Sequence, residues 1–238
     1  MKIDLMTSSK NIETFIKLLN NSNDSYAILR NYDNLLEDGI YMDGHGDIDL
    51  ICADSEKLAE EVQAFPHPGH VKNGVHNKTH YLIYIAGVEV SLDLRHVGDG
   101  YYCEKWQNEM LENRRLHNGF FVLAPKDHFY TLIYHAIFQK PTFSVDYQLR
   151  LKRMADDLGI SVRENSVHFY VSLLEEYMRE NKYHYEIPRD KHVPLYRKYI
   201  QDQSLLVVHR DRQFDHFMYE TKNSVISKLV QLKHLIKK

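Results

Sequence analysis

The feature that constrains the fold most is a regular alternation of apolar and polar side chains over residues 88–95. Every second residue of this stretch is apolar: Val88, Val90, Leu92 and Leu94. Side chains alternate between the two faces of a strand, so the pattern predicts a strand with one buried face and a polar face that carries Asp93. Residues 79–85 are expected to form another strand, and Ala86-Gly87 between the two stretches is typical of a hairpin turn.

Two aspartates stand two residues apart in the apolar stretch 46–53, which is typical of a short buried strand. Alternation places Asp47 and Asp49 on one face, where like charges repel unless a cation lies between them. Carboxylate oxygens favour Mg²⁺ or Mn²⁺, although two ordinary surface acids on an edge strand would give the same pattern. If this strand neighbours residues 88–95, Asp93 joins the pair, and three carboxylates can hold two metal ions about 3.5–4 Å apart for displacement at phosphorus.

The Gly-Asp-Ile-Asp-Leu run at 46–50, followed by a third aspartate on a later strand, resembles the nucleotidyltransferase superfamily with the DNA polymerase β-type catalytic fold. Within it, the chain is similar to stand-alone bacterial nucleotidyltransferase-like proteins, some of which are associated with surface-polysaccharide synthesis. The resemblance covers roughly residues 10–125. It implies that Asp47, Asp49 and Asp93 are the catalytic, metal-binding residues.

The sequence departs from that family where members usually have Gly-Ser or Gly-Gly in contact with a triphosphate. This chain has Arg30-Asn31 instead. Arg30 either meets a phosphate or pairs with Asp33 or Asp47, and Gly46 either lets the backbone approach a ligand or only turns the chain. Replacing Arg30 with alanine is expected to weaken nucleotide binding and to leave folding intact. The candidate nucleotide-binding residues are Arg30, Asn31, Gly46 and Arg95.

The 238 residues fit one large domain or two small ones, and the 43% apolar content is enough for a packed core. Charge is unevenly distributed, with a net −8 over residues 1–125 and a net +5 over residues 126–238. This asymmetry suits an anionic substrate held between the halves, or two halves that attract each other across an interface. Neither half is basic enough to predict nucleic-acid binding.

The periodicity changes near Ala124-Pro125, which we interpret as a domain boundary. Residues 1–125 are expected to form a small mixed sheet with helices packed on it, in the α/β (α+β) class, and residues 126–238 a mainly helical domain. Besides 79–85 and 88–95, the expected strands are residues 26–29, 46–53 and 120–123. The expected helices are residues 9–20, 55–65, 102–116, 127–139, 144–158, 165–179 and 223–238.

Polar side chains of the second half are further candidates for the cleft. Tyr134, His135 and Lys140 lie on or near the polar side of the helix predicted at 127–139 and can face such a cleft. Arg150 and Arg153 are three residues apart, so they share one helical face, where they either hold an anion or pair with neighbouring aspartates.

No apolar run of signal-peptide type is present near the N-terminus, and no stretch approaches about 18 consecutive apolar residues. Cys52 and Cys103 have no metal-binding spacing. These features favour a cytoplasmic protein without a membrane span.

The expected function is transfer of a nucleotidyl or phosphoryl group from a nucleotide donor to a hydroxyl or phosphate of a small molecule or glycan. Asp47 and Asp49 would bind Mg²⁺ or Mn²⁺ bridging the donor phosphates, and Asp93 would complete the site and help to deprotonate the acceptor. Two alternatives remain open. One is transfer of the non-nucleotide head group of an activated nucleotide, and the other is a non-catalytic nucleotide-binding or antitoxin-like protein that retains the fold.

Overall fold

A seven-stranded mixed sheet forms the centre of the computed structural model, which describes residues 9–33, 35–36, 47–72, 74–190 and 193–209 and positions 217, 218, 221 and 225. The strands are β1 (Tyr26–Ile28), β2 (Asp47–Cys52), β3 (Phe65–Pro66), β4 (Val71–Lys72), β5 (Val75–His76), β6 (His80–Ile85), β7 (Val88–His96), β8 (Arg115–His117) and β9 (Phe120–Val122). The sheet order is β3-β6-β7-β2-β1-β9-β8, and β4 and β5 form a separate pair. Only β2–β7 and β1–β9 are parallel among these pairs, so the sheet is mixed and the expected α/β (α+β) class is confirmed.

The hairpin predicted from the alternation is also confirmed. β6 and β7 pair antiparallel, with Ile85 opposite Val88 at the turn. The two turn residues, Ala86 and Gly87, both have left-handed backbone, with φ of 51° and 80°. A two-residue hairpin turn of type I′ requires this conformation at both positions. This turn type is favoured in hairpins because its twist matches that of the flanking strands.

The sheet has a buried core on each face. Ile48, Leu50 and Leu92 belong to one core, which packs against two helices of the first half. Ile51 points to the opposite face and joins the core formed with the second half of the chain. Since side chains alternate along β2, Asp47 and Asp49 share this second face with Ile51.

The described part of the second half is mainly helical, as expected. The helices of the chain are α1 (Ile12–Asn21), α2 (Ser55–Glu61), α3 (Glu104–Glu112), α4 (Pro125–Tyr134), α5 (Val145–Asp157) and α6 (Val167–Asn181). A π-helix, His135–Gln139, continues α4. Ser144 and Ser166 cap α5 and α6 by accepting hydrogen bonds from backbone N–H groups of the first turn. None of the described helices is long and apolar enough to cross a membrane.

One hydrophobic core contains residues from both sides of Pro125. It includes Ala27 and Ile51 of the sheet, Trp106 of α3, and Ile133 of α4. The change of pattern near Pro125 therefore coincides with the start of α4, within a core that both halves share.

Two predicted helices are shorter than expected. α2 ends at Glu61 because Gln63 adopts a left-handed φ of 61° and Phe65 then pairs with β6. α3 spans nine residues of the predicted 102–116, since Arg115 begins a strand that pairs with β9.

Three other expectations need correction or lie outside the described residues. The cap of α1 is Asn11, whose side chain accepts from the Thr14 backbone N–H, so the helix predicted at 9–20 begins only at Ile12. The segment 67–78, for which no helix or strand was predicted, contains a short 3₁₀ turn and the β4–β5 pair. The helix predicted at 223–238 lies outside the described residues, apart from position 225.

Candidate active site

The parallel pairing of β2 with β7 brings the three aspartates of the predicted site to one place. The register sets Asp49 opposite Asp93 and Asp47 opposite Ser91. Residues in register on parallel neighbours project from the same face of a sheet, so the carboxylates share the face that turns toward the second half. Asp47 is exposed at the start of β2, and Asp49 is 7% exposed.

Arg30 forms a buried, bidentate ion pair with Asp49. Its Nε donates to Oδ2 at 2.7 Å and its Nη2 donates to Oδ1 at 2.8 Å. The expectation that Arg30 lies near the aspartates is confirmed, although its partner is Asp49 and not Asp33 or Asp47. The cause is the β1–β2 pairing, which joins the Leu29 N–H to the Asp49 carbonyl at 2.9 Å.

This pair reverses the electrostatics expected for Asp49. Repulsion between carboxylates on one face would raise the pKa of at least one of them. Burial does act to raise the pKa of Asp49, but the charge and hydrogen bonds of Arg30 outweigh it and lower the pKa below its usual value. Asp49 is therefore an ionised carboxylate at neutral pH whose charge is already compensated.

Asp93 is bound by a histidine that also contacts the second half. His80 Nδ1 lies 2.7 Å from Asp93 Oδ1, and its Nε2 lies 2.9 Å from Asp190 Oδ2. Burial opposes a charge on His80, but hydrogen bonds to Asp190 and Asp93 raise its pKa to about 9. The Arg95 guanidinium lies 3.5 Å from Asp93 and 3.7 Å from Asp190. The four groups form a partly buried network of alternating charge.

Asp190 is a site residue that the sequence did not reveal. It lies in the segment 181–203, whose sequence pattern favoured no secondary structure. Local sequence carries no sign of its contacts with His80 and Arg95, because they depend on the packing of the second half against the sheet.

A cleft of about 430 Å³ opens beside the aspartates, between the sheet and the second half. Asp47, Asp49 and Asp93 lie along the sheet side. The cationic side chains that line it are Arg30, Arg95, Lys140 and Arg150. The cleft therefore contains more permanent positive charges than carboxylates, which favours an anionic ligand.

The π-helix supplies the opposite wall of the cleft. His135 and Gln139 line it, and His135 Nδ1 lies 3.0 Å from Gln139 Oε1. Burial and the nearby Arg30 hold the pKa of His135 well below its usual value, so the ring is neutral. Lys140 also lines the cleft, as expected, whereas Tyr134 is buried in the core among aromatic rings and does not. Successive helical residues point about 100° apart, which separates Tyr134 from its neighbour.

The remaining candidates divide between cleft, solvent and core. Asn31 lines the cleft with a left-handed φ of 59°, a conformation that asparagine tolerates. Arg150 lines the cleft, whereas Arg153 is exposed and does not contribute to its described lining. Gly46 lies outside the described residues. Cys52 is a buried free thiol.

The carboxylates fit a hard cation in chemistry and in register. In the described residues, however, no three histidine, cysteine or carboxylate side chains are arranged as a metal-binding group. Both oxygens of Asp49 accept from Arg30, and Asp93 is held by His80. Each carboxylate oxygen has a second lone pair. Mg²⁺ can therefore bind if the Arg30 and His80 side chains move relative to their carboxylates.

Sequence comparison does not extend these observations. No family model matches the chain, and no curated protein matches it significantly.

Proposed function

We propose that the protein is a metal-dependent transferase of nucleotidyl or phosphoryl groups, with a nucleotide donor and a small-molecule or glycan acceptor. The observation that carries the proposal is the β2–β7 register, in which Asp49 stands opposite Asp93 within a cationic cleft. Carboxylates beside cations are the pairing that phosphoryl transfer needs, since the carboxylates recruit Mg²⁺ and the cations bind phosphate oxygens.

The catalytic roles would belong to side chains on the sheet side of the cleft. Arg30 keeps Asp49 ionised and fixes its orientation from both carboxylate oxygens. Asp47, Asp49 and Asp93 are the groups that would hold Mg²⁺ or Mn²⁺, which would neutralise charge on the donor phosphates and the leaving group. Asp93, whose Oδ1 lies 2.7 Å from His80 Nδ1, would also accept a proton from an acceptor hydroxyl.

A second candidate function is nucleotide binding without catalysis. The observation that favours it is the pairing of Asp49 with Arg30, because an arginine occupies the carboxylate oxygens that a metal would use. In that case the cleft would hold a nucleotide through its cations, and the aspartates would serve to position those cations.

Product analysis with a panel of labelled nucleotides, Mg²⁺ or Mn²⁺ and sugar, sugar-phosphate and polyol acceptors separates these functions. Nucleotidyl transfer releases pyrophosphate, head-group transfer releases a nucleoside monophosphate, and a binding protein releases neither. Asp47→Asn is the variant of choice, because Asp47 is exposed and the change is nearly isosteric. We expect it to lower transfer at least about 100-fold, the scale of losing one preorganised group, while Arg153→Gln stays near wild type.

A further inference from the structure

The two walls of the cleft differ in whether their cations form ion pairs. On the sheet wall, Arg30 pairs with Asp49, and His80 pairs with Asp93 and Asp190. On the helical wall, Lys140 and Arg150 line the cleft. Within the described part of the chain, neither of these two cations forms an ion pair.

Gln139 adds an unused donor to the same wall. The residue is 7% exposed and lines the cleft, yet its Nε2 has no hydrogen-bond partner. Its Oε1 is the atom that faces His135 Nδ1 at 3.0 Å, and a neutral His135 protonated at Nδ1 donates to it. The amide nitrogen is thereby directed away from His135. A buried amide donor without an acceptor costs about 1–3 kcal/mol, which a bound acceptor would recover.

Tyr147 completes the wall from the first turns of α5, one helical turn before Arg150. Its hydroxyl is close enough to the Arg30–Asp49 pair and to Arg150 for all three charges to act on its pKa, which burial raises. Tyr147 therefore remains a neutral hydroxyl that can donate a hydrogen bond. The helical wall thus presents two cations, an amide N–H₂ and a hydroxyl, a set that matches the oxygens of a phosphate group.

We propose that Gln139, Lys140, Tyr147 and Arg150 form a phosphate subsite, separate from the aspartates, that binds a phosphate group of the substrate away from the reacting phosphorus. Calling this phosphate part of the substrate rests on the proposed function, whereas the anion site itself does not. The phosphate belongs either to the polyphosphate of the donor or to a phosphorylated acceptor, and both present the same oxygens.

The test is a calorimetric titration of pyrophosphate into the full chain in metal-free buffer, where no turnover occurs. We expect Lys140→Gln and Arg150→Gln each to weaken binding at least about tenfold, the effect of one charge-assisted hydrogen bond. Gln139→Glu should abolish binding, because it preserves the acceptor for His135 and places a carboxylate against the phosphate. Arg153→Gln, on the same helix but outside the described cleft lining, should stay within about twofold.

The subsite is wrong if pyrophosphate does not bind at millimolar concentration, or if Arg150→Gln weakens binding no more than Arg153→Gln. Folding of each variant is checked by circular dichroism, and the two partly exposed cations carry the test if Gln139→Glu does not fold. Absence of transfer with intact pyrophosphate binding would overturn the proposed function and leave the subsite standing. Where transfer occurs, Arg150→Gln should raise KM for the nucleotide or for the phosphorylated acceptor, which identifies the source, and an unchanged KM for both would overturn the subsite.

Discussion

The Arg30–Asp49 pair is the residue-level feature on which both the fold and the site depend. Both side chains are less than a tenth exposed, so removing either partner leaves a buried charge. We therefore expect Arg30→Gln to lower the free energy of unfolding by about 3–5 kcal/mol, which replaces the expectation that Arg30→Ala leaves folding intact. Urea unfolding of this variant and of Arg153→Gln, which should change by no more than about 0.5 kcal/mol, tests this. Equal small losses in both would show that the pair contributes little.

His128 makes stability depend on pH. Burial and the nearby Arg150 lower its pKa to about 4, and its Nδ1 lies 3.0 Å from the Tyr32 hydroxyl. In the unfolded chain, this histidine binds a proton near its ordinary pKa of about 6.5. Neutral His128 therefore makes its full contribution to the stability of the folded protein above that pH, and the contribution is lost as pH falls toward 4. We expect His128→Asn, which keeps an acceptor for Tyr32, to lose less stability between pH 7 and pH 5 than wild type. The exposed His168→Gln should retain the full loss.

At the scale of elements, the β6–β7 turn offers two substitutions of opposite sign. Ala86 has a left-handed φ of 51°, which costs an L-residue about 1–2 kcal/mol, and asparagine tolerates it better. We expect Ala86→Asn to stabilise the protein by about 0.5–1 kcal/mol, because Asn-Gly is the preferred type I′ pair. Gly87→Ala, at a φ of 80°, should destabilise it by about 1 kcal/mol. Thermal unfolding of both variants decides the matter, and a shift in the same direction would contradict the turn assignment.

Helices and strands with a regular pattern of apolar residues could be predicted from the sequence. Elements whose conformation depends on the segments packed against them could not. The alternation over Val88–Arg95 gave the strand and its polar face, since burial of one face alone produces that pattern. β8 was missed, although Asn118-Gly119 after it is a strong hairpin signal, because the apolar positions before it also fit a helix. The π-helix carries no local pattern, so its wall of the cleft was anticipated only at His135 and Lys140.

The same limit applies to the candidate site. Each aspartate and Arg30 could be assigned to a strand or its end, so their approach to one another followed from the sheet. Whether Arg30 would pair with Asp49, and whether Asp190 would reach His80, depends on side-chain geometry and on a distant segment. Charge-pairing partners more than one element away leave no trace in periodicity.

At the scale of the whole molecule, charge and packing join the two halves in different ways. The basic half contributes the acidic Asp190 to the sheet side of the cleft, and the acidic half contributes Arg95 and His80 as its partners. At this contact the signs of charge are therefore opposite to the net charges of the two halves. Asp190 thus pairs across the halves with His80 and Arg95, whereas Lys140 and Arg150 of the basic half line the cleft.

Trp106, the only tryptophan, reports on whether the two halves fold as one unit. It lies in α3 of the first half, donates from Nε1 to Asp127 at 3.0 Å, and stacks on Tyr183 with ring centroids 5.2 Å apart. Both partners belong to the second half, so loss of their packing exposes the indole. We expect the urea transition followed by Trp106 fluorescence to coincide with that followed by far-UV circular dichroism, as a single cooperative unit requires.

A chain truncated after Ala124 should show red-shifted emission and no cooperative transition, because the core that holds Trp106 also contains Phe129 and other residues beyond the truncation. Two separated transitions in the full chain, or a truncated chain that unfolds cooperatively, would instead establish residues 1–125 as an independent domain.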